Sequence, residues 1–178
     1  MPISRDRFRD GFTWDDWLER LGEEGAAWRA RFDATALGNL RAEYQSVPTP
    51  RYVACAFDPG SQAAREVVPI VARCCDQAGV AGGVELRLFP VRDFPDLAAQ
   101  YVAGGDPTAP ACVVLDDDWV QVGVWRWRTD SIRPEELAAH VASGFLDVLR
   151  GLTHRPWRGP RPSGEARPRE AESSPGTP

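Results

Sequence analysis

A short apolar run directly after a proline-rich break is the sequence feature that most constrains the fold. Residues 52–57 read YVACAF, without alternation of apolar and polar side chains. A strand with one solvated face alternates, whereas a strand covered on both faces does not. The run therefore predicts a strand with other elements packed on both sides of its sheet. The segment 47–50, which reads VPTP, ends any helix that precedes it.

The pattern after the break alternates between helical and strand character. The predicted elements are a helix over 61–78, a strand over 84–89, a helix over 94–102, strands over 111–115 and 119–127, and a helix over 134–149. A helix between the first two strands predicts a parallel pair with a right-handed crossover. The tight turn at 116–118 predicts an antiparallel last pair. The order β-α-β-α-β-β-α predicts an α/β sandwich with a mixed four-stranded sheet.

The N-terminal part has helical spacing. Thr13 followed by Asp16 is similar to a capping box, with Asp in place of the usual Glu. The apolar residues after Thr13 fall on one helix face: Trp14, Trp17, Leu18 and Leu21. Gly22 is predicted to end this helix. A longer helix is then predicted over 24–44, weakened by Gly38.

These patterns divide the chain into three parts. Residues 1–50 are predicted to be a helical extension packed on the domain, and residues 51–150 to be the domain itself. Residues 151–178 are predicted to be a disordered, Pro- and Arg-rich tail. Six Pro lie in 156–178 and no large apolar residue follows Trp157, so this segment cannot bury enough surface to offset the entropy of ordering.

Composition excludes several function classes. The chain carries a net charge of −5, and all 21 of its basic residues are Arg. Residues 151–178 contain five Arg against three Glu, so the remainder is more acidic than the whole. This argues against nucleic-acid binding, which needs a concentrated basic surface. No apolar run approaches the roughly 20 residues of a membrane span, and no apolar segment follows Arg5, Arg7 and Arg9. We expect a cytoplasmic protein with no membrane association.

The element order, with a proline directly before the third strand, resembles the thioredoxin family. Ala109-Pro110 is similar to the family's cis-proline, and Pro69 to the proline that kinks its active-site helix. The resemblance covers 51–150 and implies a thioredoxin-like fold. The lead-in helices and the hairpin over 116–125 (DDDWVQVGVW) further resemble a bacterial thioredoxin subfamily with Trp-Cys-Gly-Asp at its active site.

The chain departs from that family at the active-site positions. Counting back from Pro69 places Gly60 at the active-site Trp, Ser61 at the nucleophilic Cys and Ala64 at the resolving Cys. Cys55 stands where many thioredoxins bury an Asp. A hydroxyl at a helix N-terminus stays neutral, so Ser61 is interpreted as an ordinary N-cap, with a partner-binding surface at the same place as the alternative.

The remaining cysteines and histidines show no catalytic or metal-binding arrangement. Cys74 and Cys75 fall on the apolar stripe of their helix, and Cys112 lies in a buried strand, so packing is the favoured interpretation. A redox or metal role for Cys74 and Cys75 is the alternative. His140 and His154 are too far apart in sequence for zinc-ligand spacing. No metal and no cofactor are expected.

The segment Trp125-Arg126-Trp127-Arg128 is a further surface candidate. Alternation in a strand places both Trp on one face and both Arg on the other, which favours packing. A partner-binding rim and stacking on single-stranded nucleic acid are the alternatives.

These observations predict a redox-inactive thioredoxin-fold module that has a structural role or binds a peptide or protein partner. The backbone beside the proline would bind an extended peptide. The predicted groove consists of Pro59, Gly60, Ser61, Ala109, Pro110 and Trp127. The alternative function is a thiol–disulfide oxidoreductase that uses a non-standard cysteine, one of Cys55, Cys74, Cys75 and Cys112.

Overall fold

The computed structural model of the chain describes residues 3–79, 83–101, 108–128 and 132–151. The loop predicted at 104–107 and residues 152–178 of the predicted tail lie outside these ranges. The four strands are β1 (Arg51–Phe57), β2 (Val84–Pro90), β3 (Ala111–Leu115) and β4 (Gln121–Arg126). The helices are α1 (Arg5–Arg9), α2 (Trp14–Leu21), α3 (Glu23–Ala34), α4 (Arg41–Gln45), α5 (Gln62–Gln77), α6 (Pro95–Tyr101) and α7 (Leu137–Leu149), with a 3-10 turn at Gly38–Leu40.

The strands form one mixed sheet in the order β2-β1-β3-β4. β1 and β2 are parallel, with Arg51 opposite Val84. β3 pairs antiparallel with both β1 and β4, and Cys55 of β1 faces Cys112 of β3 across the ladder. The predicted element order, the parallel first pair and the antiparallel last pair are confirmed.

Both faces of β1 are buried, as its sequence predicts. Val53, Cys55 and Phe57 belong to an apolar cluster on one side of the sheet, and Ala54 belongs to a second cluster on the other. The larger cluster collects side chains from α2, α3, α4, α5 and α7. The smaller one is closed by side chains of α1 and α6. Residues before position 50 therefore contribute to both halves of the core.

The predicted helix over 14–21 forms with its predicted cap. The Thr13 Oγ1 accepts from the Asp16 N–H at 3.1 Å, and the Asp16 carboxylate accepts from the Thr13 N–H at 3.3 Å. The hydrogen bonds from Thr13 hold the pKa of Asp16 below its usual value. Gly22, with φ of +58°, ends α2 where the sequence predicts.

The single helix predicted over 24–44 is wrong. α3 ends at Ala34, and Thr35 takes an extended conformation, with its hydroxyl donating to the Arg31 carbonyl at 2.8 Å. Gly38 has φ of +54°, a left-handed conformation incompatible with a continuing right-handed helix. The chain then re-enters a helix at Arg41.

Two elements begin later than predicted. Trp119 has φ of +63° and belongs to the turn, so β4 starts at Gln121. Pro134 lies in a turn before α7, which starts at Leu137.

A backbone bridge joins the N-terminal extension to the outer edge of β2. The Phe12 N–H donates to the Leu88 carbonyl at 3.0 Å, and the Leu88 N–H donates to the Phe12 carbonyl at 2.8 Å. The extension thus takes part in the sheet as well as in the core.

Candidate functional site

The N-terminus of α5 is held by the Ser61 hydroxyl. Ser61 Oγ accepts from the Ala64 N–H at 3.0 Å and donates to the Thr108 carbonyl at 2.7 Å. The predicted N-cap is therefore confirmed. Because a hydroxyl has a single proton, the hydrogen bond to Thr108 occupies it and ties α5 to the segment that leads into β3.

A cavity of about 540 Å³ opens beside this cap. Ser61, Gln62, Ala63 and Glu66 form its α5 side, and Arg31 of α3 also lines it. The remaining lining comes from later in the chain: Thr108, Trp127, Ile132, Pro134 and Leu137. Its volume lies within the range of small-molecule sites.

The predicted groove is assembled only in part. Ser61 and Trp127 line the same cavity. Pro59 lines a separate cavity of about 230 Å³ with Trp17 and Arg20, and Gly60 is an exposed turn residue whose N–H donates to Asp58 Oδ1 at 3.0 Å. Ala64 is fully buried beneath the cap.

Ala109 and Pro110 lie buried behind Thr108 and are not part of the cavity lining. The predicted cis-proline is wrong: among the described residues the one cis peptide bond joins Thr49 to Pro50, so the Ala109–Pro110 bond is trans. The trans form is intrinsically favoured by about 0.5–1 kcal/mol for X-Pro bonds. The Pro110 carbonyl also accepts from the Trp127 N–H at 2.9 Å, which extends the β3–β4 pairing by one step.

All four cysteines are buried free thiols. Burial raises the pKa of the Cys74 thiol to about 12. Burial also raises the pKa of Cys75 and of Cys112 well above the usual thiol value, and neighbouring thiols add to the effect. The thiolate is the reactive form of cysteine, so Cys74, Cys75 and Cys112 are poor nucleophiles.

Trp125 and Trp127 lie on one face of β4 and its extension, both buried. Trp125 packs edge-on against Phe145, with ring centroids 5.7 Å apart. Arg126 points to the other face, where its Nε donates to the Tyr101 carbonyl at 3.0 Å. This confirms the packing interpretation, while Trp127 also lines the cavity.

The described ranges hold neither a cluster of metal ligands nor a helix fit to cross a membrane. No group of three or more His, Cys, Asp or Glu side chains within them is placed to hold a metal ion. None of the helices there has the length and apolar character that a bilayer crossing requires.

Sequence reasoning missed the residues that complete the cavity. Arg31 comes from α3, thirty positions before Ser61, and Ile132 and Leu137 follow the β3–β4 hairpin. No motif links these positions. Only the packing of α3 against α5 brings Arg31 to the head of α5.

The fold and the site define a class of protein: a mixed four-stranded α/β domain with a cavity at the start of the helix that follows β1. Two solved structures are similar to it. One is an HIV epitope-scaffold, with a TM-score of 0.62 and 14% identity over 82% of this chain and 94% of the scaffold. The other is a protein of unknown function from Pseudomonas aeruginosa, with a TM-score of 0.60 and 19% identity over 84% of this chain and 96% of that protein. No protein-family model and no curated protein matches the chain. At these identities the two structures establish a shared fold alone.

Proposed function

We propose that this chain is a redox-inactive protein of the thioredoxin-like fold that binds a peptide or protein partner in the cavity beside Ser61. The observation that carries the proposal is the pair of hydrogen bonds made by the Ser61 hydroxyl, to the Ala64 N–H and to the Thr108 carbonyl. They place a neutral oxygen, already hydrogen-bonded, where the family resemblance would place a thiolate.

The strand arrangement supports the thioredoxin-like part of the proposal. The sheet order β2-β1-β3-β4, with only β3 antiparallel to β1, agrees with the element order on which the resemblance rests. The helix after β1 continues through Pro69, the position of the family's helix proline. The contact between Ser61 and Thr108 supports the register, because it brings the head of this helix against the segment that carries Pro110.

The environment of the cysteines supports the redox-inactive part. A thiol that exchanges with disulfides must be accessible and must ionise near neutral pH. Cys55, Cys74 and Cys112 are fully buried, and Cys75 is 4% exposed. The alternative oxidoreductase would therefore have to open the core before it could react.

The cavity supports the binding part. It joins an apolar wall of Trp127, Ile132 and Leu137 to a polar wall that contains Gln62 and Glu66. Sites with a mainly apolar lining and a few fixed polar groups are typical of ligand recognition.

Two redox measurements test the loss of activity. We expect no reduction of insulin by the protein with dithiothreitol, and no reaction of the four thiols with Ellman's reagent until denaturant is added. Insulin reduction that disappears on changing one cysteine to Ser would overturn the redox-inactive assignment.

A selection experiment tests binding. The folded chain is immobilised and challenged with a display library of random peptides. Ala63→Trp fills the cavity from the exposed side of α5, and Ala139→Trp adds the same ring at an exposed site on α7 as the matched control. We expect enriched peptides whose binding is lost in Ala63→Trp and kept in Ala139→Trp. An absence of enrichment, or enrichment insensitive to Ala63→Trp, would overturn the binding site.

A further inference from the structure

The cavity beside Ser61 continues along the N-terminal extension. A second cavity of about 370 Å³ lies between α3 and α5. Both cavities are lined by Arg31, Gln62 and Glu66, so they meet at these three residues. We call their combined surface the α3–α5 groove. Trp127 lines its first part and Trp28 its second, so an occupant that fills both parts must pass Arg31, as a chain segment can.

The groove contains hydrogen-bond donors without partners. The Arg31 guanidinium makes no hydrogen bond or ion pair with any described residue. Trp28 is only 3% exposed, and neither its indole N–H nor that of Trp127 has a hydrogen-bond partner within the described part of the chain. Neither indole N–H is among the fully buried, unpartnered polar atoms of the described residues, which are those of Trp14 and Trp17. The N–H groups of the groove and the Arg31 guanidinium are therefore accessible to an occupant that brings oxygen acceptors.

The acidic residues of the groove restrict how much negative charge it can accept. Glu24 and Glu66 balance the formal charges of Arg31 and Arg65. The Glu66 carboxylate accepts from the Gln62 side-chain amide at 3.0 Å and makes no ion pair with Arg31, which is unpaired where the two cavities join. The whole chain carries a charge of −5 and repels a strongly acidic partner. The complementary charge is therefore one carboxylate at Arg31, with uncharged residues on either side.

The flanking surface indicates what accompanies that carboxylate. Beyond Arg31, the cavity beside Ser61 is lined by the apolar side chains of Trp127, Ile132 and Leu137. An apolar side chain next to the acidic residue would be removed from water here, which favours binding.

We propose that the α3–α5 groove binds an extended protein segment in which one Asp or Glu pairs with Arg31 and a neighbouring apolar side chain packs against Trp127. This inference rests on the proposed function, because it names the chemistry of the partner for the same site. Arginine–carboxylate pairs give directional hydrogen bonds that are stronger than neutral ones. The N-terminal extension thereby supplies the specificity-determining residue.

The test uses the composition of peptides selected from the random display library. Against the wild-type chain, we expect enrichment of segments with one acidic residue beside an apolar one. Replacing that acid by the corresponding amide in a synthetic labelled peptide should weaken binding about tenfold by fluorescence anisotropy. Arg31→Glu should reverse the preference from acidic to basic peptides, and Glu66→Gln should strengthen acidic-peptide binding.

Arg41→Glu makes the same charge change at an exposed position of α4, outside the groove, and should leave the preference unchanged. Arg31→Gln is the milder variant if Arg31→Glu unfolds, and it should remove the acidic preference without reversing it. Peptides that are lost in Ala63→Trp but lack an acidic residue and bind Arg31→Glu equally well would overturn this inference and leave the proposed function standing. Enrichment that Ala63→Trp does not affect, or no enrichment, would overturn both.

Discussion

The Tyr44 hydroxyl donates a 2.6 Å hydrogen bond to the Ala142 carbonyl, joining α4 to α7 across 98 positions of sequence. Tyr44 is completely buried, in the same apolar cluster as Trp17 and Trp28. The N-terminal extension is thus built into the core instead of being laid over a finished domain.

Removing the Tyr44 hydroxyl tests the energetic importance of this link. Tyr44→Phe keeps the ring and deletes one buried hydrogen bond, so we expect the free energy of unfolding to fall by about 1 kcal/mol in a denaturant titration. Tyr52→Phe, which deletes a hydroxyl that makes no hydrogen bond within the described residues, is the control and should change it by less. Equal stability of Tyr44→Phe and wild type would contradict this account.

The register at the head of α5 can be tested by restoring sulfur. In Ser61→Cys/Ala64→Cys, thiols replace the two side chains at the positions that the family resemblance assigns to the active-site cysteines. We expect oxidised glutathione to convert them to a disulfide, with loss of two hydrogens by mass spectrometry, and insulin reduction to appear. A double variant that folds but stays reduced would show that the assumed register is wrong.

A single thiol at the same place should have an unusual acidity. The Ala64 N–H, which now hydrogen-bonds to Ser61, would stabilise a thiolate created by Ser61→Cys. Ser143 lies exposed in the middle of α7, so Ser143→Cys provides a thiol without a helix N-terminus. We expect a lower thiol pKa for Ser61→Cys than for Ser143→Cys when thiolate absorbance is followed against pH; the reverse order would refute the prediction.

The buried thiols predict how stability depends on alkaline pH. Burial raises the pKa of Cys74 to about 12, whereas the thiol in the unfolded chain ionises near its ordinary value of about 8.5. The unfolded state therefore loses a proton first, and the stability present below pH 8.5 or so declines as pH rises toward 12. Cys75 and Cys112 act in the same direction.

The measurement is the slope of unfolding free energy against pH. In Cys74→Ala the slope above pH 9 or so should be smaller than in wild type by up to about one proton. An unchanged slope would show that Cys74 ionises equally in both states. Using the slope separates titration from the loss of packing that the same substitution causes.

Trp119 allows backbone strain to be separated from stacking. Its ring stacks on the Tyr52 ring, with the two ring centroids 4.4 Å apart. Its φ of +63° is costly for any residue with a Cβ. Trp119→Ala loses the ring and keeps the strain, so it should be less stable than Trp119→Gly by about 1 kcal/mol in thermal or denaturant unfolding. At the neighbouring Val120 the Ala variant should instead be more stable than the Gly variant. The same order at both positions would contradict the assignment of strain to Trp119.

Local signals determined which elements could be predicted from the sequence. The start of α2 follows from Thr13 and Asp16, and the start of α5 from Ser61, because each cap is a hydrogen bond between residues three apart. The double burial of β1 follows from its unbroken apolar run. The break after Ala34 was not predicted because no proline or glycine marks it between Ala34 and Leu37.

The site was less predictable because its residues meet only after folding. Counting residues back from Pro69 predicted that Ser61 lies at the start of α5. The position of Arg31 depends on how α3 packs against α5, and the isomer of the bond before Pro110 is a property of the folded chain. Neither leaves a pattern of residue types in the sequence.

The bridge between Phe12 and Leu88 limits how two copies of the protein can associate through β2. β2 is an outer strand, and an outer strand offers unpaired N–H and C=O groups to any passing chain. Phe12 occupies one such pair of groups at the middle of that edge, so a second molecule cannot add a strand there without first displacing the segment before α2. The extension thus blocks edge-to-edge pairing at this point of the β2 edge.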